Sequence, residues 1–166
     1  MKLLTRILPL FAIVSLSLFF ANCGGGDGGG TSKEKAQLKK LSKTWNIATT
    51  NGADLDGDDR TADFANFKLT ITGTYDSDSP EGPYEYSVSG SRPDPSPWPA
   101  SGTWKFVDFA SGNEGNLIRV EDDVVMHYKI NSNGQLVLNV QCMTCDYDGA
   151  ARTSAVNGPW TFTFNP

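Results

Sequence analysis

Histidine, cysteine and basic residues are scarce in this chain. It has one histidine and three cysteines, and its 14 lysine and arginine residues are outnumbered by 19 aspartate and glutamate residues. The single histidine, His127, has no assignable acid or base partner, and no serine lies in a nucleophile-elbow pattern. No basic stripe is available to release counterions from phosphates. We therefore expect neither an enzyme nor a nucleic-acid-binding protein, and we expect no cofactor.

Long apolar runs are absent after residue 20. Residues 7–20 form an apolar run of about fourteen residues, against the roughly twenty that a bilayer-spanning helix needs. Lys2 and Arg6 precede this run and the small Ala21 follows it, which is the layout of a secretory signal. Cleavage after residue 22 removes two basic residues and no acidic one, so the formal net charge changes from −5 to −7.

The end of this signal resembles the lipobox of bacterial lipoproteins. Residues 20–23 are Phe-Ala-Asn-Cys, and the resemblance implies that Cys23 is acylated and becomes the first residue of the mature chain. The alternatives are an ordinary cleaved signal peptide and an uncleaved transmembrane helix. Gly24 stands where aspartate retains some lipoproteins in the inner membrane, so we expect the outer membrane, with the face left open.

The resulting domain organisation has three parts. Residues 1–22 are predicted to be a lipoprotein signal peptide, and residues 23–31 the lipidated Cys23 with a tether that is mostly glycine. Glycine has no side chain to pack and leaves the backbone free, so the tether is expected to be flexible. Residues 32–166 are predicted to form one β domain, attached to the membrane through the lipid, with its oligomeric state left open.

Apolar and polar residues alternate with a period of two through most of that domain, which predicts strands. A helix is predicted first, within residues 31–44, with Ser32 as its N-cap. About eight short strands follow, and closing them into an antiparallel up-and-down barrel leaves no edge unpaired. The predicted strands are placed at residues 45–49, 67–75, 84–89, 104–106, 117–121, 124–130, 136–140 and 160–164.

The turn at residues 131–134, Asn-Ser-Asn-Gly, predicts a register for one hairpin. A three-residue loop of residues 132–134 pairs Ile130 with Leu136, and on the same register it pairs residue 128 with 138, 126 with 140 and 124 with 142. These apolar side chains then share one face, as directly opposed residues must. Gly134 would take the left-handed position of a type I turn with a bulge.

Residues 41–47, Leu-Ser-Lys-Thr-Trp-Asn-Ile, resemble the opening of lipocalin-like domains in bacterial lipoproteins, although Lys43 stands where that pattern has glycine. The resemblance extends over most of residues 40–166. It implies that Trp45 packs across a closed barrel end and that the open end holds a small hydrophobic ligand. The predicted ligand-binding residues are Phe67, Trp104, Met126, Tyr128 and Phe162.

An eight-stranded barrel is either filled by its side chains or wide enough for one small ligand. The first hypothesis is therefore a tethered protein that binds a small hydrophobic molecule inside the barrel. The second is an envelope module with a filled barrel whose loops, residues 54–59 and 91–100, contact a protein or a glycan. A connected cavity favours the first hypothesis, and packed aromatic side chains favour the second.

Two local clusters are further candidates. Asp54, Asp56 and Asp58 alternate as in the first half of a calcium loop, but the glycine and glutamate of the second half are missing. The alternative is a solvated acidic loop, since aspartate and glycine are turn-forming residues. Cys142 and Cys145 remain as an even pair in an oxidising compartment, so we expect a disulfide between them.

Overall fold

The computed structural model of the chain describes residues 32–109, 112–142 and 157–166. The predicted signal peptide, Cys23, the glycine tether and Cys145 lie outside the described residues. One α-helix, α1 (Lys33–Leu41), and one 3-10 helix (Thr61–Phe64) are present in the described ranges. The strands are β1 (Thr44–Ile47), β2 (Ala53–Leu55), β3 (Asp58–Asp59), β4 (Lys68–Thr72), β5 (Tyr84–Ser89), β6 (Ser101–Phe109), β7 (Glu114–Arg119), β8 (Val125–Ile130), β9 (Leu136–Cys142) and β10 (Gly158–Asn165).

Eight of these strands form a closed antiparallel barrel. The order around the barrel is β1, β4, β5, β6, β7, β8, β9 and β10, and β10 closes the ring on β1. Strands that follow one another in the sequence are neighbours in the barrel, apart from the inserted β2 and β3. The predicted all-β up-and-down barrel with one short N-terminal helix is confirmed.

The β2–β3 hairpin corrects the expectation of a plain acidic loop at residues 54–59. Leu55 pairs with Asp58, so the turn between them consists of Asp56 and Gly57. Their φ angles are 53° and 93°, and a two-residue turn with both φ angles positive favours an Asp-Gly pair. β2 pairs with β10 beyond the point where β1 ends, and the hairpin thereby extends the sheet at one end of the barrel.

The β8–β9 hairpin has the predicted register. Ile130 pairs with Leu136, as expected. The next two expected pairs are also present, residue 128 with 138 and residue 126 with 140. The fourth predicted pair, Val124 with residue 142, lies beyond the paired part of β8. Gly134 has a φ of 77°, and its amide donates to the carbonyl of Asn131, which closes the three-residue loop.

Helix α1 covers the barrel end at which β1 begins. Ser32 caps the helix by accepting a hydrogen bond from the Lys35 amide at 3.2 Å. Leu38 and Leu41 on its inner side are buried in the core. The Trp45 indole donates to the Leu41 carbonyl at 2.8 Å, so the first strand is attached directly to the end of the helix. This geometry agrees with the structural role expected for Trp45.

Candidate functional site

The barrel interior contains all five predicted ligand-binding residues. Phe67, Trp104, Met126, Tyr128 and Phe162 are each at most 3% exposed and belong to one continuous core. The void between the core side chains has a volume of about 10 Å³. That space accommodates about one water molecule and no larger ligand. The structure therefore brings these residues together by packing them against one another and their neighbours.

Trp98 fills the barrel end that lies opposite α1. The lipocalin resemblance implies that this end is open. Its indole ring lies 5.5 Å from the ring of Phe162 and 6.0 Å from that of Tyr86, measured between centroids. The Trp98 side chain is 2% exposed, and Phe64 of the 3-10 helix packs beside it against Phe162. Residues 91–100 therefore carry an anchor that folds back into their own barrel.

Arg119 holds this anchor from the inside of the barrel. Its guanidinium binds the Asp122 carboxylate through Nε at 3.1 Å and Nη2 at 2.7 Å, and Nη1 donates to the Pro97 carbonyl at 2.7 Å. The guanidinium carbon also lies 5.7 Å from the Trp98 ring centroid, within the range of a cation–π contact. Arg119 is 0% exposed, so its charge is paired where water is excluded.

Several polar groups of the interior are not matched by hydrogen bonds. Within the described residues, the indole nitrogens of Trp98 and Trp104 and the hydroxyl of Tyr128 have no hydrogen-bond partner. Burial raises the pKa of Tyr128 to about 12, and the Asp108 carboxylate adds to this increase. Burial also raises the pKa of Tyr86 to about 12, against the opposing effect of the neighbouring Arg119. The described part of the interior thus contains polar atoms among apolar side chains, and the void between them has no space for a ligand.

The outer face of β7, β8 and β9 carries an open groove of about 360 Å³. Asn116, His127 and Asn139 form a row across it, because Asn116 pairs with His127 and His127 pairs with Asn139. His127 is on the face opposite Met126 and Tyr128, as its position in the strand predicts. The groove is lined by Asn116, Asp122, Asp123, Val124, Val125, His127, Asn139 and Gln141.

A chain of hydrogen bonds connects His127 to Asp108. The Asn116 side-chain nitrogen lies 3.1 Å and 2.9 Å from the two carboxylate oxygens of Asp108. The Asn116 side-chain oxygen lies 3.2 Å from His127 Nδ1. Asp108 reaches this row because the register shifts between residues 106 and 108, where β6 has an extra residue opposite β7. Sequence alternation alone places Asp108 on the inner face with Phe106.

The three aspartates of the calcium-loop candidate do not converge. Asp54 pairs with Asp59 and points to one face of the β2–β3 ribbon, whereas Asp58 pairs with Leu55 and points to the other. The Asp54 carboxylate accepts the Gly57 amide at 2.9 Å, which stabilises the turn. No group of three histidine, cysteine, aspartate or glutamate side chains in the described ranges could hold a metal ion.

The Asp59 carboxylate accepts hydrogen bonds from the Thr61 hydroxyl and amide, and these bonds lower the pKa of Asp59. The acidic residues of this segment therefore support local turns.

Cys142 ends β9 in the core at 0% exposure, while Cys145 lies outside the described residues. The disulfide between them stays a prediction. No helix in the described part of the chain is long and apolar enough to cross a membrane.

The geometry defines a class of protein: an eight-stranded up-and-down β-barrel, lipocalin-like in architecture, with a packed interior and an open polar groove on its outer face. No protein-family model, curated protein sequence or solved structure matches this chain. The lipocalin-like lipoprotein family therefore stays a prediction from the residues quoted above.

Proposed function

We propose that this chain is a membrane-tethered envelope protein that binds its partner through the outer surface of a filled barrel. The observation that carries the proposal is the void of about 10 Å³ at the centre of the barrel, where the alternative function needs a ligand cavity. Ligand sites usually have volumes of about 300–1,000 Å³. The outer groove of about 360 Å³ falls within that range.

The anchor at Trp98 supports the same choice. A small molecule could enter through this barrel end only if the Trp98 side chain left the core and the hydrogen bonds of the Trp98 backbone were broken. The Arg92 guanidinium donates to the Trp98 carbonyl at 3.1 Å, and the Trp98 amide donates to the Ser96 hydroxyl at 3.1 Å. With the bonds from Arg119, these contacts hold the segment on both sides of the indole.

The envelope location is supported by residues 1–30, in which a short apolar run, the lipobox-like Cys23 and a glycine-rich segment follow in order. Each acyl CH₂ inserted into the bilayer contributes about 0.8 kcal/mol, so more than one chain on Cys23 would anchor the domain durably. Growth with radiolabelled palmitate should label the wild-type protein and leave Cys23→Ser unlabelled. Equal labelling of the two proteins would exclude Cys23 as the lipidation site.

A neutral apolar dye separates the two functions. N-phenyl-1-naphthylamine fluoresces strongly in an apolar cavity, and it should show no saturable binding to the wild-type protein, whose interior is full. The Trp98→Ala variant should instead bind free indole, because truncation leaves a space of that size next to the existing void. Arg92→Ala is the matched control, since it removes one bond to the same loop and leaves the indole in place. Saturable binding to the wild-type protein would favour the small-ligand function.

A further inference from the structure

We propose that the groove on β7, β8 and β9 is a carbohydrate-binding site in which the Nε2 atom of His127 accepts a hydrogen bond from a sugar hydroxyl. This inference rests on the proposed function, since it names the ligand class of the outer surface. Three observations carry it: a fixed imidazole tautomer, a row of polar groups with atoms left over for a ligand, and the mixed character of the groove walls.

The tautomer of His127 follows from the chemistry of its neighbours. A carboxylate accepts hydrogen bonds and cannot donate them, so the amide group of Asn116 must turn its NH₂ toward Asp108. The oxygen of that amide then faces His127 Nδ1, and Nδ1 must carry the proton that it donates. In the neutral imidazole, the lone pair is therefore on Nε2, and no described residue hydrogen-bonds Nε2.

The neighbouring strand supplies the complementary donor. The Thr161 hydroxyl donates to the Asn139 side-chain oxygen at 3.0 Å, so the Asn139 amide has its NH₂ group left for a ligand. Asn139 lies directly opposite His127, and directly opposed side chains in an antiparallel pair have Cβ atoms about 4.5–5.5 Å apart. The Nε2 acceptor of His127 and the NH₂ donor of Asn139 therefore lie side by side. Sugar hydroxyls can bind both groups, because each hydroxyl donates and accepts hydrogen bonds.

The groove walls match a ligand with polar edges and CH faces. Val125 is 47% exposed and offers an apolar surface beside the polar row. The Asp122 carboxylate is neutralised by Arg119, and Asp123 is the one lining residue whose charge has no partner among the residues that the structure describes. Because the groove is mostly uncharged, hydrogen bonding dominates over charge attraction. A basic peptide is the rival occupant, since the domain is acidic overall.

The experiment uses the purified full chain in detergent micelles, with maltotetraose, cellotetraose and chitotetraose as probes and tetralysine as the rival. His127 is the sole histidine, so its two imidazole ¹⁵N signals need no assignment against others. In the neutral imidazole, the free protein should show a protonated Nδ1, and Asn116→Leu should shift the population toward the other tautomer. At least one of the three sugars should move the Nε2 signal.

Calorimetry then compares variants that differ only on this face. His127→Ala should weaken sugar binding about threefold to tenfold, the loss expected for one hydrogen bond. His127→Gln should retain most of the affinity, because its side-chain oxygen can also accept. Lys129→Ala is the matched control: it lies two residues along the same outer face, pairs with Glu114 and is not among the groove residues, so binding should be unchanged.

Three results would overturn the carbohydrate assignment. The first is an unmoved Nε2 signal with all three sugars, and the second is equal weakening by His127→Ala and Lys129→Ala. The third is a response of Nε2 to tetralysine alone, abolished by salt, which would identify a cationic partner. These results leave a filled barrel with an outer binding surface intact. The proposed function fails separately, if an apolar molecule is found inside the barrel.

Discussion

Truncation of Trp98 to alanine should destabilise the domain by about 3 kcal/mol. Removing a buried tryptophan or phenylalanine side chain costs about 3–5 kcal/mol, and the cation–π contact with Arg119 would be lost as well. An opposing effect comes from the Trp98 indole nitrogen, which is buried and has no hydrogen-bond partner in the described part of the chain. Removing such a group relieves a desolvation penalty of about 1–3 kcal/mol, so the net cost lies near the lower end.

Trp98→Phe isolates the two contributions. Phenylalanine retains an aromatic ring against Phe162 and Tyr86 but has no polar hydrogen to leave unpaired. We expect a change of about 1 kcal/mol or less for this variant, compared with about 3 kcal/mol for alanine. For a domain of this size, 3 kcal/mol corresponds to a decrease in Tm of about 10 °C. Urea and thermal unfolding followed by circular dichroism measure both values, because the signal does not depend on the substituted indole.

A Trp98→Ala protein that unfolds at the wild-type urea midpoint would refute the packing of this barrel end. A Trp98→Phe protein as unstable as Trp98→Ala would refute the role assigned to the unpaired indole nitrogen. Arg92→Ala should cost less than about 1 kcal/mol, as expected for a single net hydrogen bond.

The other predictions concern titration, backbone conformation and the cysteines. Because burial raises the pKa of Tyr128 to about 12, the unfolded chain releases this proton first, near pH 10, and stability should fall by about 2 kcal/mol between pH 10 and pH 12. Urea midpoints should decline less steeply over that range for Tyr128→Phe, and parallel declines would contradict the burial. Gly90→Ala should destabilise more than Gly134→Ala, since both have positive φ but a Cβ on Gly90 would collide with backbone atoms of a neighbouring segment. Equal urea midpoints for the two variants would count against this contact. Reduction should release two thiols, those of Cys142 and Cys145, and a thiol count before and after reduction measures them. Free thiols before reduction would exclude the disulfide.

Most of the barrel follows from local alternation. The inward positions of β8 and β9 are apolar at every second residue, and this pattern together with one glycine determines their register. The β2–β3 hairpin does not follow from alternation although Asp56-Gly57 is a strong turn signal, because the flanking residues are mostly acidic and carry no apolar alternation. For Arg119, alternation predicts the inward position, next to Leu117 on the same strand face. It does not predict the partners of the guanidinium, because Asp122 and Pro97 lie outside the strand.

The outer groove could not be predicted because its residues meet only through strand pairing. Asp108, Asn116 and His127 lie on three strands, and the extra residue in β6 moves Asp108 to the outer face. A bulge of this kind changes the face of a side chain without changing the composition of the strand. The packed interior was similarly open to two outcomes, since the same aromatic residues could line a cavity or fill it. Alternation in the strands says nothing of Trp98, which a loop supplies to the barrel end and which packs against Phe162 and Tyr86.

Native mass spectrometry of the intact protein, purified gently from membranes, tests the filled barrel most directly. We expect the mass of the acylated chain, with no additional small molecule that remains bound after detergent is removed in the gas phase. A stoichiometric apolar adduct, held by the wild-type protein and lost on unfolding, would contradict it and would assign the ligand to the barrel interior.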